Sequence, residues 1–222
     1  MFLTKKYSKD TIINLHIHSN YSNGDYDSKM LVKIANDQKY SVISVTDHDC
    51  YDAQLQISTL CKNEGISYIF GCENTSFYKG NEIHILSYYK NMPSNDYIAL
   101  TKSRRISIEV IKRRCRKKQY SYTNFNDTIN EIHANGGIAI LAHPQYYVTY
   151  EEIFESFDGF ELLHPDNSLK LIEYLYCQYD NYLFTCGTDL YKYYSNERTY
   201  KILQREYNEM FVPFLKEFGI NI

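Results

Sequence analysis

The sequence predicts an α/β fold in which strands and helices alternate and the sheet closes, or nearly closes, into a barrel. Short runs rich in β-branched and aromatic residues recur seven times, and most segments between them hold apolar residues at helical spacing. Several of these runs are almost continuously apolar, as strands become when both faces of a parallel sheet are covered. At 222 residues the chain is long enough for one domain of this kind with a sizeable core.

In chain order the candidate strands are 11–17 (TIINLHI), 41–47 (SVISVTD), 66–73 (ISYIFGCE), 82–89 (EIHILSYY), 137–143 (GIAILAH), 158–164 (DGFELLH) and 181–189 (NYLFTCGTD). Helical spacing follows the first in Met30, Leu31, Ile34 and Ala35, the second in Leu55, Ile57, Leu60 and Cys61, and the sixth in Leu169, Leu171, Ile172 and Leu175. The longest helix is expected from about Ser94 to Gln119, after Pro93, and it carries Lys102, Arg104 and Arg105 and then a basic run from Lys112 to Lys118. That last run reads as a solvated helix end favoured by the negative C-terminal dipole. A final helix over about 200–219, with Met210, Phe211, Phe214, Leu215 and Phe218 on one stripe, is expected to close the barrel. Composition does not break anywhere, so a single domain over 1–222 is expected.

A formal net charge of -3 supplies no global attraction for nucleic acid or anionic lipid, so any anion must be bound locally. The opening MFLTKKYSKDT has no apolar core of a signal peptide and no later run approaches membrane-spanning length, which leads us to expect a cytoplasmic protein without membrane contact. Six scattered cysteines with no CxxC pair argue against a zinc ribbon or a disulfide framework and for reduced, mostly buried thiols.

The chemistry collects at the strand ends. His16 and His18 close the first run, Asp47 and His48 the second, Glu73 the third, His143 the fifth, His164 the sixth and Asp189 the seventh, with His84 inside the fourth. Only His133, of seven histidines, reads as an ordinary helix residue. Residues two apart on a strand share a face, so His16 and His18 point at one spot. In α/β barrels the carboxyl ends of the strands form one rim, where such residues converge. Imidazole with carboxylate suits zinc, manganese or iron, and a carboxylate can bridge two ions where a neutral imidazole cannot, which makes Glu73 the natural bridge.

The ordered set HIHSNYSNG, TDHD, GCEN, the histidine of HILSYY, LAHP and GTD, spanning His16 to Asp189, resembles the PHP family, the polymerase and histidinol phosphatase metal-dependent phosphoesterases. It looks closest to small stand-alone members that hydrolyse phosphomonoesters and nucleotide phosphates. The resemblance implies a distorted seven-stranded (β/α)7 TIM-like barrel. It also implies one metal site from His16, His18, Glu73 and Asp189, and a second that shares Glu73 and adds His84 and His143. The family's third site would fall on Asn23, His48 and Tyr191, where two of the three ligand types have changed, so two divalent transition-metal ions are expected unless Asp25 or Asp27 replaces the missing carboxylate.

Two such ions, if held there, would supply an activated water near neutral pH for in-line attack on phosphorus. His48 is then placed to bind a phosphate oxygen or to protonate the leaving alkoxide. In similar family members an arginine on the helix after the fourth strand binds substrate phosphate, which points to Arg105, with Arg104 second. The leading expectation is a phosphatase acting on a small phosphorylated substrate. A 3′ exonuclease or nucleic-acid processing phosphoesterase would share the chemistry but need a groove that tracks the backbone, and a catalytically weak metal-binding regulatory module is the third alternative.

Overall fold

The computed structural model describes residues 11–114, 124–190 and 197–220. Every one of the seven runs contains strand. β1 (Ile12–Asn14), β2 (Tyr40–Ile43) and β3 (Ser67–Tyr68) pair in parallel as a three-stranded sheet in that order, with α1 (Ser28–Asp37) and α2 (Gln54–Glu64) as crossovers. β4 (Phe70–Tyr78), β5 (Asn81–Tyr89), β6 (Ile138–Leu141), β7 (Gly159–Leu163) and β8 (Leu183–Cys186) form a second, five-stranded sheet. Between β5 and β6 lie α3 (Asn95–Arg114) and α4 (Phe125–Ala134), and α5 (Leu169–Gln178) joins β7 to β8.

The seven-stranded barrel expected from the alternation is therefore not one closed ladder among the described residues, where eight strands lie in two sheets. The third run breaks at Ile69, and its second half continues as β4 to Tyr78, beyond the acidic residue that looked like its end. There Lys79 and Gly80, both at positive φ (48° and 78°), make the two-residue reversal whose twist suits a hairpin. With no helix between them β4 and β5 pair antiparallel, and β5 pairs antiparallel with β6 before the parallel pattern resumes. The sheets meet at two seams. Leu15 N and His18 N donate to Cys186 O and Leu190 O (both 2.9 Å) at one, and Ile69 N and Glu73 N donate to Ile43 O (3.1 Å) and Thr46 O (3.2 Å) at the other.

The helical stripes bury Leu31, Ala35, Ile57, Cys61, Leu171, Ile172 and Leu175, while Met30, Leu55 and Leu169 face out. At 100° per residue Leu55 and Leu169 project well away from the centre of the stripe that follows them. A segment of 3-10 turns, Pro144–Ser156, stands where the β6–β7 crossover would carry an α-helix. The C-terminal helix is divided into α6 (Glu197–Tyr207), a 3-10 turn (Asn208–Phe211) and α7 (Val212–Glu217), because Pro213 has no N–H to continue the helical ladder. These pieces tie onto β1, the residue before it and β5: Tyr200 donates to Ile13 O (3.0 Å) and Asn208 to Thr11 O (3.1 Å), and Phe214 packs edge-on against Tyr88. Ile13, Leu15, Ile43, Leu86, Ile140 and Phe160 are fully buried in the core between these layers, each contributing roughly 1.5–3 kcal/mol by leaving water. Cys50, Cys61, Cys72 and Cys186 are buried free thiols, Cys177 is exposed, and Cys115 lies outside the described residues. No helix among the described residues is long and apolar enough to cross a membrane.

Candidate metal centre

His16 and His18 leave β1 with their ring centroids 5.1 Å apart. Glu73 sits within β4, and His84 on β5 pairs with Thr75, which places it diagonally across the hairpin from Glu73 on the same face. His143 and Asp189 follow β6 and β8 in the left-handed region, at φ of 30° and 48°. Such backbone costs on the order of 1–3 kcal/mol and persists only where its surroundings hold it.

Glu73 is the hub. Its Oε2 lies 3.1 Å from Nε2 of both His16 and His18, and its Oε1 lies 2.9 Å from His84 Nδ1 and 3.2 Å from His143 Nε2. Asp189 Oδ1 completes the first group at 3.0 Å from His18 Nε2 and 3.6 Å from His16 Nε2. The structure thus brings together all six residues expected in the first two sets. His48 Nδ1 joins them at 3.4 Å from Glu73 Oε2, its ring stacked on His18.

The donor set fits metal ions. Ligand atoms bonded at about 2.1 Å to a tetrahedral ion stand about 3.4 Å from one another, close to the spacings found here. Charge points the same way, because Glu73, Glu161 and Asp189 bring three carboxylates to a centre where Glu73 and Glu161 are at most 1% exposed. Uncompensated burial of such charge is prohibitive, so cationic imidazoles or metal ions must be present. Burial alone would push the His16 imidazole down, but the carboxylates of Glu161, Glu73 and Asp189 hold it well above its ordinary range. Against the same opposition from burial, Glu73 and Glu82 lift His84 to about 10. Burial would raise Glu73 and Asp189, yet the surrounding imidazoles hold both carboxyls well below the usual range. Burial wins at His48, pushed down to about 4, and it also lowers His143.

Outer partners decide which ring nitrogen faces the centre. His16 Nδ1 meets Glu161 Oε1 at 2.9 Å, and His84 Nε2 meets Glu82 Oε1 at 3.0 Å. His18 Nδ1 lies 3.4 Å from Ser22 Oγ, which donates to the buried Asp47, as do the backbone and hydroxyl of Ser19. His164 accepts from Asp166 N at Nδ1 (3.1 Å) and stands behind Asp189, with Nε2 3.7 Å from Oδ2. Glu161 escaped the sequence reading. Its signal was an acid inside the apolar run GFELL, since a fully buried carboxylate implies a partner.

A cavity of about 610 Å³ opens on this cluster, lined among others by Asn23, His48, Glu82, Tyr146 and Tyr150. Arg104 and Arg105 do not line it. Arg104 pairs with Glu131, and Arg105 donates from Nη1 to Tyr21 O (2.8 Å) and lines a separate cavity of about 240 Å³. Of the changed third set, Asn23 is exposed beside the cavity and Tyr191 lies outside the described residues. Asp27 caps α1 by accepting from Met30 N (2.8 Å), which commits it elsewhere, and Asp25 is exposed. His133, as expected of a helix residue, lies away on α4 and pairs with Asp158.

A family model for the PHP domain matches residues 14–212. The chain belongs to the PHP family. Among solved structures, this PHP chain is similar to an amidohydrolase from Chromobacterium violaceum with bound sulfate and no metal, at 18% identity and a TM-score of 0.67 over 81% of this chain and 87% of that one. It is also similar to a protein from Bifidobacterium adolescentis ATCC 15703 to which metal-dependent phosphoesterase activity is ascribed, at 15% identity and a TM-score of 0.68 over 82% and 88%. A two-domain protein from Bacteroides vulgatus ATCC 8482 containing a predicted PHP-like metal-dependent phosphoesterase aligns at 12% identity and a TM-score of 0.57 over 89% of this chain and 55% of that one. At these identities the likeness is one of fold. A stretch of 65 residues is 35% identical to DNA polymerase III subunit alpha of Treponema pallidum (strain Nichols), and it spans 28% of this PHP chain but 6% of that protein.

Proposed function

We propose that this PHP protein is a metal-dependent phosphoesterase that hydrolyses a small phosphomonoester or nucleotide phosphate. The observation that carries the reading is Glu73, a buried carboxylate with one oxygen among His16, His18 and Asp189 and the other between His84 and His143. Two divalent ions, manganese, zinc or iron, would be held by these two sets with Glu73 common to both. Bound there, they would supply Lewis acidity toward phosphoryl oxygens and an activated water at neutral pH.

The chain's own groups do the rest. Glu161 and Glu82 keep His16 and His84 in the orientation that ligation needs, and Asp189 offers one oxygen to the first set while its other faces His164. His48, neutral near pH 7, donates a ring N–H to a phosphoryl oxygen. Its role as acid toward the leaving alkoxide needs the imidazolium, which an arriving phosphate dianion favours. Asn23 is a poor substitute for a carboxylate, so His48 retains no third ion of its own.

Release of phosphate from p-nitrophenyl phosphate with added manganese tests the reading, and its absence would favour the regulatory module. A panel of nucleotides against single-stranded DNA then separates a small-molecule phosphatase from a 3′ exonuclease, the second reading that the local likeness to a polymerase subunit favours. Arg105 is proposed to serve substrate binding through the loop it holds: its bond to Tyr21 O fixes the segment that brings Asn23 to the cavity. Arg105→Ala is expected to raise KM several-fold with thermal unfolding changed little, since a hydrogen bond such as the one to Tyr21 O contributes about 1 kcal/mol. A defect in Arg104→Ala alone would move the role to the neighbour that pairs with Glu131.

A further inference from the structure

We propose that Glu161 couples the two ligand sets although it belongs to neither, an inference that rests on the two-ion reading above. Its two carboxylate oxygens go to different sets. Oε1 accepts from His16 Nδ1 at 2.9 Å, and Oε2 accepts from the backbone N–H of His143 at 2.8 Å. The first bond leaves His16 Nε2 free to face Glu73, and the second holds the backbone of His143 at its positive φ. Space is reserved for this arrangement at Gly187, where a Cβ would stand 2.7 Å from Glu161 Oε1 and 2.2 Å from His16 Cβ. One carboxylate therefore positions a ring in the first set and a main chain in the second.

Only a group that accepts at both ends can do this. Glutamine at 161 could keep its oxygen toward His16, but its NH2 would then oppose the His143 N–H, donor against donor. Turned over, it would satisfy His143 and present its NH2 to His16 Nδ1. That ring would then carry its proton on Nε2, the nitrogen the first set requires bare.

The test uses the full chain with zinc as the probe. Competition titrations against a chelating dye give the affinity of each ion for wild type, E161Q and E82Q, and long-range nitrogen–proton spectra report which nitrogens of His16 are protonated. Glu161 is a positioning residue, so E161Q is expected to weaken both ions by about 10–100-fold. E82Q, whose carboxylate meets His84 of the second set, should weaken one. Wild-type His16 should carry a proton on Nδ1 with zinc and without it. The proposal is overturned if E161Q weakens one ion or neither, or if Nδ1 of wild-type His16 is bare. That last measurement needs no variant and so can still overturn the proposal if E161Q does not fold. A wild type that binds no zinc would defeat the two-ion reading, while the coupling would still stand or fall on the His16 spectrum.

Discussion

Replacing Glu73 with Gln is expected to remove at least one ion and to lower phosphatase turnover by on the order of 10³-fold or more. An amide has one carbonyl oxygen where the carboxylate has two. Whichever set keeps it, the other meets an NH2 that points at two imidazole nitrogens and cannot bind a cation. The metal-free variant should fold but unfold more readily near neutral pH, by about 3 kcal/mol, because the cationic imidazoles of His16 and His84 lose the buried charge that faces them. Metal analysis after dialysis, kinetics and thermal unfolding check the three parts. Two ions per chain and full turnover in E73Q would remove Glu73 from the centre of the site.

The second large effect concerns pH. A metal ligand must be neutral imidazole, yet in the metal-free protein, against the opposition of burial, the carboxylates raise His16 and His18 above the ordinary imidazole range and His84 up to about 10. Ion uptake must therefore release protons, and apparent affinity should rise roughly tenfold per pH unit for each proton displaced. Stability of the metal-free form should move differently. A raised pKa contributes stability that is fully present below the ordinary imidazole value of 6.5 and lost as pH climbs through about 10. His48, depressed to about 4, resists the proton that the unfolded chain accepts below 6.5, so it removes stability as pH falls from there. The chelated protein should thus be most stable near pH 6.5, whereas the zinc-loaded protein should gain on the alkaline side. Melting temperatures across pH with and without chelator measure this, and parallel profiles would refute it.

What the sequence made legible was the set of ligand types at the ends of apolar runs, because a histidine or acid that closes such a run stands out from its neighbours. His16, His18, His48, Glu73, His143 and Asp189 were visible this way and His84 from inside the fourth run, and the structure places all seven together. The hairpin was not visible. Tyr78-Lys79-Gly80 lacks an Asn-Gly signal, and Asn74 to Tyr78 is too polar on one face to read as strand, so Glu73 looked like an end when it is a middle. The break at Asn208–Phe211 followed from Pro213, a residue the apolar stripe of the last helix masked. Arg105 shows a different limit: position along a helix does not say which cavity a long side chain lines.

The two seams between the sheets give the two proposed ligand sets different mechanical characters. Glu73, His84 and His143 all stand on or just beyond strands of the five-stranded sheet, with Glu73 and His84 locked in one antiparallel ladder. His16 and His18 approach from the three-stranded side, and they meet Glu73 and Asp189 only across the seams. An ion in the second set would enter a nest that is already assembled. An ion in the first would act as a rivet between two plates already joined by backbone hydrogen bonds at the seams, by side-chain bonds such as Asn14 to Thr188 and Tyr88 to Leu15 O, and by a shared core. Breathing of the plates, seen as amide exchange at Leu15, His18 and Glu73, would then be the motion that the first ion arrests and the second leaves untouched.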